Sequence, residues 1–378
     1  MQMTRRDFVQ QVGVGAAALA INGCAGTAKA REPEAAGRAE AARLRDVLGE
    51  DREHVLTAAA RAPSGHNTQP WRVGIIGTDE WTVGADLSRR LAVVDPNDRE
   101  LALSLGAFVE YLSSAAEALG LDARLEPIPG AALSAREVVR VRLAKAPQGA
   151  RGTERLAEIE RRRTLRKGFG NEPLSASDLA ALTGALGPRA RWFPRGAKEA
   201  EQLAGAAVEA FRQQTWSDAA QAELAQWTRF GDDEAARAGD GLTPRTMEVG
   251  GLAGFYMRHF MDAGSVMGKS FREAGIDVVA EQAHQGAGWL ALDAPDDGAT
   301  SLLEAGRRFA RMGLLLRERR LAAHPMSQVL EEEPWRQTIG RALGLGGVPQ
   351  FVLRVGHVGD YPEPVSRRRP VASFASLA

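Results

Sequence analysis

Residues 61–71 read RAPSGHNTQPW and directly follow an alanine-rich stretch with helical periodicity. Two turn-forming residues suffice to reverse a chain, but this segment contains many more polar and turn-forming residues than that. They include Pro63, Ser64, Asn67 and Gln69. The segment ends on Trp71, a large aromatic residue that we expect to anchor the loop in the core. A loop that is anchored in this way and rich in hydrogen-bonding groups is typical of the edge of a ligand site.

The pattern after this loop predicts a β-hairpin followed by a helix. WRVGIIG (71–77) and EWTVGADL (80–87) alternate in hydropathy with a period of two and are separated by turn residues. The alternation then breaks at a proline, after which Asn97 or Asp98 is expected to cap a helix. This helix, ELALSLGAFVEYLSSAAEALGL (100–121), has apolar residues at helical spacing.

The last helix and strand of the chain echo a helix and strand of the first half. The corresponding segments are LSLGAFVEYLSSAAEALGL (103–121) and VVRVRL (138–143) in the first half, and LLEAGRRFARMGLLLRERRL (302–321) and QFVLRVGH (350–357) in the second. Gly106 and Gly306 occupy matching helix positions, although most other residues differ. We interpret the correspondence as a diverged internal duplication.

Composition and charge exclude several classes of function. The 378 residues carry 48 basic and 48 acidic side chains, so the formal net charge is zero and no nucleic-acid interface is expected. Cys24 is the only cysteine, which excludes disulfides, thiolate metal sites and a cysteine nucleophile from the chain after residue 30. The six histidines form no H-E-x-x-H motif and no close cluster with carboxylates, so no metal site is expected either.

The N-terminus has the features of an export signal. Arg5 and Arg6 precede the mildly apolar run VGVGAAALAI (12–21), which is too short to span a bilayer as a permanent helix. This arrangement predicts a twin-arginine signal, which is recognised by a receptor. Two processing routes remain open, namely cleavage after Ala30 and lipidation of Cys24. We therefore expect an exported protein, periplasmic or on the outer face of a membrane, that contacts the membrane only through a lipid anchor at Cys24.

Two arginine-rich segments are candidates for binding an anion. RRRTLRKGF (161–169) presents Arg162, Thr164 and Arg166 at alternate positions, which can aim guanidinium forks and a hydroxyl at a phosphate. SRRRPV (366–371) is the second such segment. The chain is rich in arginine and poor in lysine, so each segment can equally be a solvated basic face, and composition alone leaves both interpretations open.

These motifs together resemble the nitroreductase superfamily of FMN-binding flavoproteins. APSGHNTQPW (62–71) is similar to that family's A-P-S-x-x-N-x-Q-P-W element, and RRRTLRKGF to its opening R-R-[ST]-x-R-x-F helix. VLRVGH (352–357), followed by SRRRPV, is similar to its closing strand and basic tail. With VVDPNDRELALSLGA (93–107), the likeness extends over most of residues 51–375. It is strongest for the Acg-like branch, in which two degenerate nitroreductase halves share one chain.

The resemblance implies a nitroreductase-like α+β fold in which two halves of one chain form a pseudo-dimer with antiparallel-rich sheets flanked by helices. A usual subunit of the family carries the arginine motif and the A-P-S loop together. Here the loop lies in the first half (31–150) and the R-R-T-x-R motif in the second (151–378), after a signal segment (1–30). Each half therefore supplies half of a site, and the two halves are expected to assemble one FMN pocket.

The resemblance also implies which residues bind the cofactor. They are Pro63, Ser64, Asn67, Gln69, Arg162, Thr164, Arg166, Pro325, Met326, Arg367 and Arg368. The arginines would bind the FMN phosphate, with Arg367 and Arg368 as alternatives to each other, and Thr164 would donate to the phosphate or to the ribityl chain. Pro63 and Ser64 would lie along the isoalloxazine edge, and Asn67 and Gln69 would supply the amide groups of the loop. Pro325 and Met326, with the neighbouring His324, would approach the pyrimidine end. No catalytic side chain is expected, because the flavin carries the chemistry.

The function implied is an exported FMN-dependent oxidoreductase that reduces nitroaromatic, quinone or similar small molecules with NAD(P)H, after passage through the twin-arginine translocase. An alternative is an FMN-binding or sequestering protein without turnover, since a lid can bury the flavin in the Acg-like branch. The candidate lid lies within residues 240–275 and contains the Met- and aromatic-rich stretch 254–271. A core-packing helical insertion is the competing interpretation of that stretch. A third alternative, an exported binding protein without a cofactor, leaves the paired motifs without a role.

Overall fold

The computed structural model describes residues 31–132, 135–146 and 152–378. The expected signal segment, with Cys24, and the expected boundary between the halves at residue 150 both lie outside the described residues. The chain divides into two compact units, residues 1–42 and 43–378. Residues 31–42 are helical, and every contact reported below belongs to the second unit.

The first half of the second unit is built around a five-stranded sheet. Its elements are helix α1 (Arg31–Ala59), strands β1 (Trp71–Gly77) and β2 (Glu80–Ala85), helix α2 (Arg99–Ala118), and strands β3 (Leu121–Pro127) and β4 (Val139–Lys145). The strand order is β3-β4-β2-β1-β9, in which β9 (Ala375–Leu377) comes from the C-terminus of the chain. The predicted hairpin is confirmed, since β1 and β2 pair antiparallel, whereas β1 and β9 pair in parallel.

The second half combines a four-stranded antiparallel sheet with a larger set of helices. The helices are α3 (Thr153–Arg161), α4 (Ala176–Leu186), α5 (Lys198–Trp216), α6 (Asp218–Gln226), α7 (Asp232–Ala238), α8 (Gly251–Phe260), α9 (Ala263–Val266), α10 (Lys269–Ala283), α11 (Ala299–Leu315) and α12 (Trp335–Ala342). The strands are β5 (Ala190–Pro194), β6 (Gly288–Ala294), β7 (Leu321–Pro325) and β8 (Val348–His357), in the order β5-β6-β8-β7. The architecture is thus α+β with one antiparallel-rich sheet in each half, as the sequence predicts.

The two halves meet where helices α2 and α11 cross, and the two glycines singled out in the sequence lie at the crossing. A Cβ atom added to Gly106 would lie 2.1 Å from the carbonyl oxygen of Leu303, and one added to Gly306 would lie 2.1 Å from that of Leu103. The contacts are reciprocal, as across the two-fold axis of a symmetric dimer. The pseudo-dimer inferred from the duplicated segments is therefore present in the fold.

Apolar and ionic contacts reinforce this crossing. Leu303 of α11 belongs to the apolar core of the first half, and Leu103 of α2 belongs to that of the second. The buried carboxylate of Glu110 on α2 accepts hydrogen bonds from Arg307 and Arg311 of α11, at 3.0 and 2.7 Å from their Nε atoms. Removing either half would expose apolar side chains of both cores and break these ion pairs, so the halves stabilise each other.

One of the local predictions is confirmed and one needs correction. Trp71 is completely buried and stacks on Phe108, with 4.9 Å between ring centroids, so it is the core anchor expected. Asp98 is the residue before α2, but its side chain does not cap the helix. Asp95 accepts the hydrogen bond from the backbone N–H of Leu101 instead, because Asp98 has a left-handed backbone conformation.

Candidate functional site

The loop between α1 and β1 is held in an unusual backbone conformation. His66, Asn67 and Gln69 have φ angles of 45°, 54° and 53°, in the left-handed region that residues other than glycine rarely occupy. Each such residue costs on the order of 1–3 kcal/mol and persists only where surrounding contacts enforce it. Such strain is concentrated at functional sites, which agrees with the interpretation of this loop from the sequence.

Hydrogen bonds of Gln69 hold much of this loop conformation in place. Its side-chain Nε2 donates to the carbonyl oxygen of Gly239 at 2.8 Å, and its Oε1 accepts from the backbone N–H of Arg369 at 2.9 Å. The side chain is fully buried, and the backbone N–H of Gln69 donates to Ser64 Oγ at 3.0 Å. Because both polar atoms of the Gln69 amide bond to protein backbone, we revise its expected role from cofactor contact to support of the loop.

Asn67 links the loop to the C-terminal tail. Its Nδ2 donates to the carbonyl oxygen of Gly241 at 3.0 Å and to that of Arg367 at 3.3 Å. Its Oδ1 accepts from the guanidinium of Arg368 at 2.9 Å. Asn67 therefore lies beside the predicted phosphate-binding tail, and it fixes Arg368 through a contact that spans 301 positions of the sequence.

The arginine motif of the second half contacts the first half in the same region. Arg162 follows the end of α3 in an extended conformation. Its Nε donates to the hydroxyl of Tyr111 on α2 at 3.2 Å, and its NH1 group donates to Thr164 Oγ1 at 2.9 Å. The motif residues Arg162 and Thr164 are thus adjacent, as the sequence predicts.

Arg61, Arg162 and Arg368 form a group of neighbouring guanidiniums that we call the arginine cluster. Burial, together with the positive charges of Arg162 and Arg61, lowers the pKa of Arg368 to about 9. Within the described residues, no carboxylate forms an ion pair with any of the three, and the buried Nε of Arg368 has no hydrogen-bond partner. Like charges that converge without a counter-charge favour the binding of an anion.

A second basic group surrounds Arg166. Arg166 donates to the carbonyl oxygen of Thr246 at 2.6 Å, and its positive charge lowers the pKa of two histidines, the half-buried His66 and the buried His324. Burial is the largest cause of both shifts, which keep the two imidazoles neutral at neutral pH. His66 belongs to the loop of the first half and His324 to β7 of the second, so Arg166 lies where the two halves meet.

Arg354 of β8 is a member of this group that the sequence prediction missed. It is fully buried, and one of its NH2 groups donates to the carbonyl oxygen of Arg166 at 2.7 Å and lies 3.2 Å from Nδ1 of His324. Its guanidinium carbon lies 4.0 Å from the ring centre of Phe169, a cation–π contact. Burial lowers its pKa to about 10, so the buried group still carries its charge. The sequence does contain a signal for this residue, since Arg354 is a charged residue within an otherwise apolar strand.

The remaining expected residues, Pro325, Met326 and Arg367, differ in burial. Met326 is buried in an apolar cluster with Trp289 and Val352, so its side chain packs in the core and we remove it from the site. Pro325, at the end of β7, is half-buried. Arg367 is exposed and forms part of the wall of a cavity, whereas Arg368 points inward to Asn67. Arg368 is therefore the better candidate of the two for a buried phosphate.

Part of the candidate lid lies against both motifs. Glu248 accepts hydrogen bonds from the backbone N–H groups of Arg166 and Lys167, both at 2.9 Å, and pairs with Arg163 at 3.2 Å. Gly241 contacts the loop through Asn67. In helix α8, which follows, Leu252 is 88% exposed. Residues 239–248 are thus attached to the site, while the helix after them presents apolar surface to solvent.

Two classes of site find no support within the described part of the chain. No three potential metal ligands of the His, Cys, Asp and Glu types come together there. No helix in the same residues has the length and apolar character needed to cross a membrane.

Comparisons with known proteins show that the chain is similar to proteins named as NAD(P)H nitroreductases. It is 29% identical over 336 residues to "Putative NAD(P)H nitroreductase Rv3131" of Mycobacterium tuberculosis, covering 84% of this chain and 89% of the relative. It is 24% identical over 344 residues to "Probable NAD(P)H nitroreductase PigM" of a Serratia species, covering 86% and 93%. It is 26% identical over 319 residues to "Putative NAD(P)H nitroreductase acg" of M. tuberculosis, covering 83% and 91%.

Two further comparisons add little. A nitroreductase-like family protein from Bacillus cereus aligns in structure with a TM-score of 0.30 and 13% identity, over 57% of this chain and 91% of that one. No family model matches the sequence. The similarity to relatives over more than four fifths of the chain supports the nitroreductase superfamily for this protein.

Proposed function

We propose that this protein binds FMN between its two halves and is an NAD(P)H-dependent oxidoreductase of nitroreductase type. The observation that carries the proposal is the arginine cluster, in which Asn67 of the first half hydrogen-bonds to Arg368 and the positive charge of Arg162 acts on the same guanidinium. Relatives that align with most of the chain are named NAD(P)H nitroreductases, which agrees with this chemistry. Nitroaromatic compounds, quinones and similar small molecules are the acceptors we propose.

The residues present fit an FMN phosphate. A phosphomonoester carries a charge of about −1.5 to −2 near neutral pH and three acceptor oxygens. The arginine cluster offers three guanidiniums without carboxylate partners, and the buried Nε of Arg368 has an unused N–H. Thr164 adds a hydroxyl beside Arg162. We assign the phosphate to this cluster, and the edge of the ring system to Pro63, Ser64 and the strained loop backbone.

When bound, FMN would supply the redox chemistry, accepting two electrons from NAD(P)H and passing them to the acceptor. The protein's part is to bind, orient and provide charge. Arg166 and the buried Arg354 place two positive charges in a desolvated region, where they favour negative charge on a neighbouring group more strongly than they would in water. The neutral His324 hydrogen-bonds within this pair and holds the guanidinium of Arg354 in place.

The proposed function predicts one FMN per chain, bleached by NAD(P)H. After reconstitution, native mass spectrometry should show one equivalent of noncovalent FMN, because the loop and the arginine motif each occur once. Anaerobic addition of NADPH or NADH should then abolish the visible absorbance, and a nitroaromatic or quinone should restore it. Two flavins per chain, or none, would contradict the split site.

A second candidate function is flavin sequestration without turnover. It is favoured by residues 239–248, which contact the loop through Asn67 and the arginine motif through Arg166. A segment attached in this way can cover a bound flavin and exclude a nicotinamide. The anaerobic experiment separates the two functions. Bleaching by dithionite but not by either nicotinamide would favour sequestration.

We also propose that the protein is exported by the twin-arginine pathway, on the basis of Arg5, Arg6 and the short apolar run that follows. That pathway carries folded proteins, so a noncovalent cofactor held between two halves must be loaded before export. Whether the chain is then cleaved after Ala30 or lipidated at Cys24, the cofactor travels with it.

Export and cofactor loading are therefore expected to depend on each other. Arg5→Lys/Arg6→Lys should leave folded, yellow protein in the cytoplasm. A leader for the unfolded-chain pathway should deliver colourless or degraded protein, because FMN stabilises the folded state by RT ln(1 + [L]/Kd), about 2.7 kcal/mol at a hundredfold excess over Kd. Cell fractionation with flavin quantitation measures both outcomes. Abundant FMN-loaded protein exported by the second route would refute this dependence.

A further inference from the structure

A cavity of about 570 Å³ lies directly beside the arginine cluster. The C-terminal tail, residues 364–371, forms one side of it, and Arg61, Asp232 and Arg245 contribute to the rest. Its volume falls within the range of roughly 300–1,000 Å³ that is usual for small-ligand sites. Arg61 and Arg368 of the arginine cluster line it, whereas Arg162, Thr164 and Tyr111 do not, so the cavity adjoins the proposed FMN phosphate site and shares two guanidiniums with it.

The charge of this cavity is strongly unbalanced. Arg61, Arg245, Arg367 and Arg368 line it, and Asp232 is the one carboxylate among its lining residues. Asp232 lies 3.4 Å from Arg245, but both side chains are more than half exposed, so this pair contributes little. Arg61 and Arg367 form no ion pair within the described residues.

Arg369 also lines the cavity but is engaged elsewhere. Its guanidinium donates to the carbonyl oxygens of Gln69 and Trp71, at 2.7 and 2.9 Å, and lies 3.7 Å from a carboxylate oxygen of Asp86. These contacts fix the tail against the strained loop. The tail backbone that carries Arg367 and Arg368 is therefore a rigid wall, and it presents the two neighbouring guanidiniums in different directions.

One phosphate does not neutralise this region. Its charged groups are the guanidiniums of Arg61, Arg162, Arg245, Arg367 and Arg368 and the carboxylate of Asp232. Five positive charges and one negative charge leave an excess of four, of which a phosphomonoester dianion such as that of FMN removes about two. The remaining excess lies on the cavity side, where Arg245 and Arg367 project. Guanidinium forks match the geometry of phosphate oxygens, so a second phosphate is the ligand that this excess favours.

We propose that the cavity is a second phosphate site, which binds an organic phosphate or diphosphate at the same time as FMN. The proposal rests on the proposed function, because the FMN phosphate is assumed to neutralise about two of the four excess positive charges. Two sources share this chemistry, namely the phosphates of the reductant NADPH and a free phosphorylated metabolite. Arg245 and Arg367 bind the ligand in either case, and neither belongs to the FMN site as we assign it.

Calorimetric titration of the FMN-loaded protein with pyrophosphate and with 2′,5′-ADP tests the site. Both probes should bind the wild-type protein, and Arg245→Gln/Arg367→Gln should weaken them at least tenfold while the flavin absorbance is retained. Arg341→Gln is the matched control, because Arg341 is exposed and lies in α12, outside the cavity lining. It should leave both affinities unchanged.

Steady-state kinetics then distinguishes the two sources. A KM that rises in the double variant for NADPH but not for NADH identifies the reductant as the ligand. Unchanged KM values together with weakened pyrophosphate binding identify a free metabolite. FMN-loaded wild-type protein that binds neither probe, or a double variant that binds both as tightly as wild type, would overturn the second site alone. Absence of flavin from reconstituted wild-type protein would instead refute the proposed cofactor.

Discussion

Replacing Gly306 by alanine is expected to lower the free energy of unfolding by about 2–3 kcal/mol, and Gly106→Ala by a similar amount. The added Cβ atom would meet the carbonyl oxygen of Leu103 or Leu303 at 2.1 Å. A backbone carbonyl cannot rotate away as a flexible side chain does, so helices α2 and α11 must separate. Separation loosens both apolar cores, because each helix contributes to both. Urea denaturation followed by circular dichroism measures the loss.

Gly313→Ala provides a control within the same helix. No heavy atom lies within 4 Å of the position that its Cβ would occupy, and alanine is favoured over glycine in a helix interior by roughly 0.5–1 kcal/mol. Gly313→Ala should therefore stabilise the protein while Gly306→Ala destabilises it. Changes of the same sign and size would show that the crossing tolerates a Cβ, and that its two glycines have no packing role.

The reciprocal contact also predicts how the two substitutions combine. Once one alanine has pushed α2 and α11 apart, the second meets a gap that is already wider, so Gly106→Ala/Gly306→Ala should cost less than the sum of the single changes. If the two changes in the free energy of unfolding were strictly additive, each contact would relax independently of the other. Less than additive destabilisation is the behaviour expected of one crossing whose two contacts are related by a pseudo-two-fold axis.

The features predicted from the sequence are those encoded by short patterns. The hairpin of β1 and β2 follows from alternation and a turn, and Trp71 follows from a large aromatic residue at the start of a strand. Gly106 and Gly306 were visible because a duplication leaves matching positions. Their shared role, close approach of two helix backbones, follows from the small size of glycine. Local chemistry therefore accounts for these elements, whereas the fold class and both halves of the site were inferred from the resemblance of the motifs to a known family.

The features that the prediction missed depend on contacts between distant parts of the chain. Strand β9 joins the sheet of the first half, although it ends the second half. In the sequence, the side-chain amide of Gln69 is equivalent to that of Asn67. Only the structure shows that both polar atoms of the Gln69 amide hydrogen-bond to the backbone of Gly239 and Arg369. In the sequence, Arg354 is one arginine among many, and only the structure shows that it is fully buried. Sequence spacing does not encode such neighbours, so the roles of these residues had to come from the structure.

Arg162→Met is expected to weaken FMN binding by about tenfold or more. A charge-assisted hydrogen bond contributes roughly 1.5–3 kcal/mol, and 1.4 kcal/mol corresponds to a factor of ten in Kd. Arg162 belongs to the arginine cluster, and its other contacts, to Tyr111 and Thr164, involve neutral groups. Arg162→Lys should recover part of the affinity, because the charge returns without the planar fork. Fluorescence titration of the apoprotein with FMN gives the dissociation constants, and Arg341→Met should leave them unchanged.

Riboflavin makes this experiment specific for the phosphate. It carries the same ring system as FMN but no phosphate, so Arg162→Met should affect its binding little. The dissociation constant of riboflavin divided by that of FMN should therefore fall by the same tenfold or more from wild type to variant. The comparison is a double-mutant cycle in which removal of the phosphate from the ligand is the second change. If Arg162→Met weakened both ligands equally, the residue would act by supporting the junction of the halves through Tyr111. The arginine cluster would then be a structural basic group, and the assignment of the phosphate to it would be wrong.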